Sequence, residues 1–200
     1  MKRILFYFKL LFFIPHGLFF LFSRKKILLE EELIQWRKVL RIREKSTLNL
    51  FFYLILNLKE YRSLFYYRIG GWSLLLSWYA HGMTNLYITI PSENVSKGLV
   101  IQHGHSTRIG PERCGAYCQI WHNVTIGKAY SGGKRPVLGN NIKVCAGSII
   151  LGDIVIGDNV TIGAGCIVVK SVPNNCVVVG NPARIVPVSY THLRAHETGA

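Results

Sequence analysis

Acidic side chains are scarce in this sequence of 200 residues. Asp and Glu number 10 against 24 Lys and Arg, which gives a formal net charge of +14. The imbalance is larger at the front, where residues 1–70 hold 14 basic and 5 acidic side chains. No zinc-finger, RRM-like or basic-zipper pattern accompanies this charge, so the sequence favours an anionic membrane surface over nucleic acid as a partner.

Cysteines in metal-binding spacing are also lacking, as is a phosphate-binding Walker pattern. The chain has five cysteines, an odd number, at positions Cys114, Cys118, Cys145, Cys166 and Cys176. We therefore expect no metal site, and we interpret the cysteines as reduced packing residues of a cytosolic protein.

A clean apolar run of roughly 20 residues, as a membrane-spanning helix needs, is missing too. Residues 4–22 are mostly apolar, but Lys9 and the Pro15-His16-Gly17 sequence interrupt them, and no signal-peptide cleavage site follows. Basic residues flank the run on both sides. We expect residues 1–26 to meet a membrane surface as an interfacial anchor, or else to pack as an amphipathic helix on their own domain.

Helical periodicity follows this run. Apolar residues at positions 29, 33, 36 and 40 predict a helix over 27–45, and further helices are predicted over 48–58, 60–69 and 72–79. Thr47 is the predicted cap of the second of these, and residues 86–90 form the first strand-like run.

A period of six dominates the back half of the chain. Branched aliphatic residues recur at Leu138, Val144, Ile150, Ile156, Ile162 and Val168. Helices repeat every 3.6 residues and strands every 2, so a period of six indicates short strands joined by turns, three to a coil of a β-solenoid. The side chain of each marker should point inward. The residue two positions before a marker, such as Cys166, should occupy a second inward position.

Two interruptions break this period. The markers begin at Val95 and Ile101, but the step to Ile109 is eight residues, which places a two-residue insertion near Gln102–His105. After Ile126 the period stops for KAYSGGKRP at 128–136, a polar loop of the kind that often carries function.

The tail VSYTHLRAHET at 188–198 follows no rule of the fold. It looks like an in-frame translation of a sequencing adapter, so His192 and His196 are excluded, and we expect the natural C-terminal sequence to be cut or replaced after about Pro187. The predicted organisation is a helical region over 1–84, a solenoid over 85–187 and this tail over 188–200.

The solenoid half resembles the hexapeptide-repeat acyltransferases, above all serine acetyltransferase and its polysaccharide-modifying relatives. The similarity rests on GLVIQHG at 98–104, QIWHNVTIG at 119–127, the Gly-rich loop before Pro136 and VVVGNPARIV at 177–186. It implies a mostly β fold, a left-handed parallel β-helix preceded by helices, although parallel crossovers are otherwise right-handed. It also implies a homotrimer that binds acetyl-CoA between neighbouring coils.

The resemblance makes His103 the catalytic base, because the family's histidine stands at this place in the motif. Acetyl transfer to a hydroxyl needs such a base, and an imidazole suits neutral pH. His105 is the second choice, and His122 is expected to be an outward polar residue. The alternative for His103 is a corner residue bonded to a carbonyl.

Other family positions are altered here. Where serine acetyltransferase has an Asp fifteen residues before the histidine, this chain has Ile88, and Gln102 replaces the Asp just before it. Lys134 and Arg135 stand where the family has an Arg-His pair, and we predict Gln102, Lys134 and Arg135 to bind the acceptor. Because the carboxylates that would meet a serine ammonium are missing, either Glu93 or Glu112 replaces them or the acceptor is a neutral sugar hydroxyl.

Acetyl-CoA requires positive charge for its phosphates and a smooth wall for its pantetheine arm. Lys170 and Arg184 are the predicted phosphate-binding residues. Small residues at Ala146, Ser148, Ala164 and Cys166 are predicted to admit the arm, with core packing as the alternative.

Three hypotheses remain open: acetylation of L-serine, acetylation of a sugar on a cell-surface polysaccharide precursor, and a non-catalytic trimeric scaffold. For the enzyme we expect a cytoplasmic location, peripheral on the inner face of the membrane.

Overall fold

The computed structural model describes residues 10–44 and 46–187. The proposed adapter tail and residues 1–9 of the predicted anchor therefore lie outside the described residues. Helices occupy the front of the described chain and short strands the rest. The α-helices are α1 (Ile14–Phe22), α2 (Lys26–Val39), α3 (Thr47–Asn57), α4 (Lys59–Ile69) and α5 (Ser73–Ser77).

These helices lie where the sequence predicted them, except that α2 ends at Val39, short of the predicted residue 45, because Arg41 adopts a left-handed φ of 52°. The predicted apolar row of α2 is buried, with Leu29, Leu33 and Trp36 almost fully covered. The predicted cap of α3 was wrong by one residue, because Ser46, not Thr47, accepts the backbone N–H of Asn49 at 3.5 Å. In the described ranges we find no helix with the length and apolar character needed to cross a membrane.

Three sheets form the back half, and their strands are parallel except that β14 runs antiparallel to β13. The first sheet has the order β1-β3-β6-β9-β12, the second β10-β7-β4, and the third β14-β13-β11-β8-β5-β2. The strands are β1 (Leu86–Ile88), β2 (Val100–Ile101), β3 (Thr107–Ile109), β4 (Arg113–Cys114), β5 (Gln119–Ile120), β6 (Thr125–Gly127), β7 (Val137–Leu138), β8 (Lys143–Val144), β9 (Ile149–Leu151), β10 (Val155–Ile156), β11 (Thr161–Ile162), β12 (Ile167–Val168), β13 (Cys176–Val179) and β14 (Arg184–Pro187).

This pairing makes the chain run through the three sheets in turn, coil after coil, as the period of six predicted. Every marker from Leu138 to Val168 is buried, and so are Ser148 and Cys166 at the second inward position. The insertion is confirmed by the register, since Ile101 pairs with Ile120 and Ile109 with Ile126, so eight residues match six. The third sheet continues past the last marker, because β13 still pairs with β11 before β14 returns antiparallel to it.

The helices pack against the first coil. Trp36 donates its indole N–H to the carbonyl of Leu99 at 2.8 Å, and Tyr67 donates its hydroxyl to Ile90 at 3.0 Å. The buried apolar residues of the helices and of the coils form one connected cluster. The last helix ends at Ser77 and the first strand begins at Leu86, and the predicted boundary between residues 84 and 85 stays a prediction.

Candidate active site

One corner of the coil collects most of the predicted site residues. It lies between the third sheet and the first, and we call it the histidine corner; it consists of residues 102–106, 121–124, 145–148 and 163–166. Backbone hydrogen bonds stack its turns, from Asn123 N–H to His105 O at 2.9 Å and from Gly147 N–H to His122 O at 3.1 Å. Gly165 N–H continues the stack to Ala146 O at 2.9 Å. The turns that were singled out separately in the sequence therefore form one continuous surface.

His103 protrudes from the first turn of this corner. Its side chain is exposed, and its backbone adopts a left-handed φ of 58°, as Ser106 does at 52°. These two left-handed residues accommodate the extra length of the insertion. Gly104 between them lies so close to the core that an added Cβ would stand 2.8 Å from Ile101. The insertion thus turns the chain outward and presents the imidazole to solvent.

Three imidazoles meet at the corner. The ring of His105 stacks on that of His122 with centroids 4.6 Å apart, and His103 approaches His122 edge-on at 6.0 Å. His122 is only partly covered, as is expected of an outward-facing residue, but its Nδ1 is buried without a hydrogen-bond partner in the described chain. The sequence contained a signal for this contact, since Ile101 pairs with Ile120 and each histidine follows its marker by two residues.

Gln102 lies beside His103 and extends the site along the third sheet. Its amide faces that of Gln119, with Nε2 3.5 Å from Oε1, as the pairing of β2 with β5 requires. The pair offers neutral hydrogen-bonding groups next to the imidazole. Its place agrees with the predicted contact to an acceptor, which stays a prediction.

Lys134 and Arg135 belong to a different corner, between the first sheet and the second. Lys134 forms an exposed ion pair with Asp153 at 2.9 Å, and the hydrogen bond and charge of that carboxylate raise the pKa of the ammonium. Arg135 donates to the carbonyl of Thr89 at 3.0 Å, just after β1. The structure therefore does not bring these two residues into the histidine corner, and their predicted contact with the acceptor stays a prediction.

The residues predicted to bind acetyl-CoA divide into two groups. Ala146 and Ala164 lie at the histidine corner and are partly or fully exposed. Ser148 and Cys166 belong to the same turns but are fully buried, where Ser148 donates to Gly163 O at 2.8 Å and the Cys166 thiol contacts Val178 O at 3.4 Å. Their side chains pack inside the coil, so only their backbones are available to a ligand.

Lys170 and Arg184 are exposed, and neither lies within the histidine corner. Lys170 follows β12 and Arg184 begins β14. In a single chain the structure does not gather the two predicted phosphate-binding cations around His103.

Carboxylates are missing from the histidine corner, since none of its residues is Asp or Glu. Ile88 pairs with Ile109 in the first sheet, and it offers no acidic group to orient His103. Glu112 follows β3, whereas the histidine corner precedes that strand. Glu93 lies in a short 3-10 turn before β2. The proposal that Glu93 or Glu112 replaces the missing acid thus finds no support in their positions.

A row of stacked asparagines was not predicted from the sequence. At the corner between the second and third sheets, Asn141, Asn159 and Asn175 adopt left-handed φ values and hydrogen-bond one another through their side-chain amides at 2.9 and 3.0 Å. Their spacing of 18 and 16 residues was a possible signal. Over residues 10–44 and 46–187, no group of three or more His, Cys, Asp or Glu is placed to hold a metal ion.

Comparison with known proteins agrees with this architecture. Residues 135–170 match the family model of the bacterial transferase hexapeptide (six repeats). The serine acetyltransferase of Synechococcus elongatus is 43% identical over 99 residues, which cover 48% of this chain and 41% of the relative. That of Staphylococcus epidermidis is 42% identical over 100 residues, covering 48% and 46%. The chain spans about half the length of the curated relatives it matches.

Solved structures show the same fold. A Brucella abortus serine acetyltransferase in complex with coenzyme A superposes with a TM-score of 0.63 at 22% identity, over 86% of this chain and 71% of that one. A Neisseria gonorrhoeae serine acetyltransferase in complex with serine gives a TM-score of 0.60 at 25% identity, over 86% and 72%. These similarities confirm the resemblance to the hexapeptide-repeat acyltransferases, and above all to serine acetyltransferase.

Proposed function

We propose that this chain is an acetyl-CoA-dependent O-acetyltransferase of the serine acetyltransferase type, with His103 as its general base. The observation that carries the proposal is the exposed imidazole of His103 on a corner that also presents Ala146 and Ala164. Its support from outside the chain is the name shared by the curated relatives, which are serine acetyltransferases. Because the chain spans only part of those relatives, its activity and substrates are proposals.

The proposed reaction is a direct transfer. The ring nitrogen of His103 takes the proton of the acceptor hydroxyl while the oxygen attacks the thioester carbonyl of acetyl-CoA. The tetrahedral intermediate then breaks its C–S bond, and the departing CoA thiolate receives the proton from the imidazolium. The products are an acetyl ester and free CoA, no covalent enzyme intermediate forms, and the histidine returns to its starting state.

Acetyl-CoA fits the small residues of the corner. Ala146 and Ala164 leave the wall without large side chains where a pantetheine arm would pass, and the crystal structure with coenzyme A shares the fold. Lys170 and Arg184 are exposed cations for the phosphates. We further propose that the coil is left-handed and that the protein is a homotrimer. In a trimer a neighbouring subunit can complete the cleft, since one chain leaves these cations away from His103.

L-serine is the first acceptor to consider, because the relatives carry its name. A sugar hydroxyl is the second, and the absence of Asp and Glu from the histidine corner favours it. A serine ammonium needs a counter-charge when it is bound away from water, whereas a neutral sugar needs only hydrogen bonds such as Gln102 and Gln119 provide. We propose a cytoplasmic location for either reaction, in agreement with the five free cysteines.

The decisive experiment is thiol release from acetyl-CoA by the full chain, followed with a chromogenic thiol reagent. L-serine and a panel of neutral sugars are supplied as acceptors, and the acetylated products are identified by mass spectrometry. Transfer to serine or to a sugar assigns the acceptor class. If purified, folded protein releases no thiol with any of them and does not bind acetyl-CoA, the proposal fails and a non-catalytic scaffold replaces it.

A further inference from the structure

One surface of the helical region is apolar although it faces solvent. In α1 the large apolar side chains at positions 14, 18 and 21 recur at steps of four and three, so they share one helical face, and Leu11 precedes the helix. All four are exposed, and Phe22 at the end of the row is 82% exposed. The opposite side of α1, with His16, Gly17 and Phe20, is buried against the other helices.

A second row of exposed apolar residues lies next to the first. Trp72, Leu74, Leu75 and Trp78 lie in and around α5, with Leu74 75% and Trp78 80% exposed. The ring of Phe19 in α1 contacts that of Trp72 with centroids 5.8 Å apart, which joins the two rows. We call their combined surface the apolar face; it consists of Leu11, Ile14, Leu18, Leu21, Phe22, Trp72, Leu74, Leu75 and Trp78.

Positive charge borders the apolar face. Arg24, Lys25 and Lys26 follow α1 directly and are exposed. A groove of about 700 Å³ lies at this border, with Phe22 and Trp72 among its apolar walls and Arg24 and Lys25 at its rim. Lys25 is held there by its hydrogen bond to the carbonyl of Arg68 at 2.9 Å. Apolar walls beside fixed cations suit a lipid, because its acyl chain can contact the walls and its phosphate can contact the cations.

The charge of the segments that carry the apolar face indicates what kind of partner can bind there. Residues 1–29 contain Lys2, Arg3, Lys9, Arg24, Lys25 and Lys26 and no acidic residue, and residues 70–79 contain no charged residue. A second copy docked on this face would bring the same positive charge against it, so self-association is disfavoured. An anionic bilayer offers the opposite charge, and tryptophans such as Trp72 and Trp78 are typical of the membrane interface.

We infer that the apolar face docks the protein onto an anionic lipid bilayer, with α1 and α5 lying in the plane of the interface. The sequence pattern alone suggested an anchor in residues 1–26, and the structure adds the tryptophan-bearing row at 72–78 and the cationic groove between them. This inference concerns location and does not depend on the proposed reaction.

A short stretch of chain connects the apolar face to the first strand of the coil. From Trp78 the chain runs only eight residues to Leu86, a span of at most about 29 Å. That stretch is fastened to α4, because Tyr66 donates its hydroxyl to Ala80 O at 2.6 Å and Met83 N–H donates to Ser63 Oγ at 2.7 Å. Leu86 in turn packs beside Gly104, next to His103.

The test is co-sedimentation of the full chain with lipid vesicles. Wild-type protein should bind vesicles of phosphatidylglycerol mixed with phosphatidylcholine, should bind pure phosphatidylcholine vesicles weakly, and should be released by salt. The variant Leu74→Glu with Trp78→Glu should lower the bound fraction roughly tenfold. The variant Arg24→Gln with Lys26→Gln should weaken binding to the anionic vesicles only.

Val155→Glu is the matched control, since Val155 is an exposed apolar residue, 54% accessible, on the coil. It should bind vesicles as the wild type does. Thermal unfolding checks that every variant is folded, and thiol release with a soluble acceptor reports the proposed activity separately. The inference is overturned if wild-type protein ignores anionic vesicles, or if the double Glu variant binds as well as wild type. It is also overturned if that variant only dissociates a larger oligomer.

Discussion

At the scale of single residues, His16 is an informative buried group. Its ring is fully covered, its Nε2 lies 2.8 Å from the hydroxyl of Tyr66, and Tyr66 donates that hydroxyl to Ala80. The Tyr66 oxygen must therefore accept from Nε2–H, which leaves Nδ1 to accept from Tyr79 at 3.4 Å. This arrangement holds a neutral imidazole. Burial, assisted by the positive charge of Arg62, lowers the pKa of His16 to about 4.

The first prediction concerns the stability of the protein in acid. Between pH 6.5 and about 4 the unfolded chain binds a proton at His16 and the folded chain does not, so folding weakens as the pH falls through that window. The difference in pKa corresponds to a loss on the order of 3 kcal/mol. Urea unfolding at a series of pH values should show this loss in the wild type and less of it in His16→Gln. Parallel curves for the two proteins would contradict the assignment.

Residue-level prediction from the sequence succeeded where periodicity governs and failed elsewhere. The burial of the markers and of Ser148 and Cys166 follows from the repeat itself. The proximity of His122 to His103 was missed, although Ile101 and Ile120 are paired markers and each histidine lies two residues after one of them. The hydrogen-bonded row of Asn141, Asn159 and Asn175 requires left-handed backbone angles at three stacked turns. The sequence of any one turn does not predict it.

At the scale of elements, a buried ion pair fastens the helices to the coil. Arg68 of α4 donates to Glu32 of α2 from Nε and Nη2, at 2.8 and 2.6 Å. Its remaining donors reach the carbonyls of Ser92, Val95 and Ser96, just before β2. Burial raises the pKa of Glu32 to about 7, although the charge of Arg68 pulls it down. The sequence predicted both helices, but a pair separated by 36 residues and fixed by packing leaves no local pattern.

The second prediction tests this ion pair. Arg68→Met should lower the free energy of unfolding by about 3–5 kcal/mol, because it leaves a buried carboxylate and several carbonyls without a partner. The double variant Glu32→Gln with Arg68→Met should be more stable than the single one, since no buried charge remains uncompensated. Denaturant titration of both variants measures the difference. A loss below about 1 kcal/mol for the single variant would show that the pair is not structurally important.

At the scale of the whole molecule, a helical cap and a three-sided coil place an exposed imidazole at one corner. The sequence predicted the coil, because six-residue periodicity has few other structural explanations. It could not assign each motif to one of the three corners. Lys134 and Arg135 lie at a different corner from His103, although the resemblance to serine acetyltransferase had implied a single site. The resemblance to serine acetyltransferase already indicated that Ile88 stands where that family has an Asp.

The role of His103 is tested most directly by the turnover number of purified protein for thiol release from acetyl-CoA with its best acceptor. His103→Asn keeps polarity at the corner but removes the base, so turnover should fall by roughly 10²–10⁴-fold. The matched control is His81→Asn, an exposed histidine outside the histidine corner, and it should leave turnover unchanged. Full turnover in folded His103→Asn would contradict the assignment of the base.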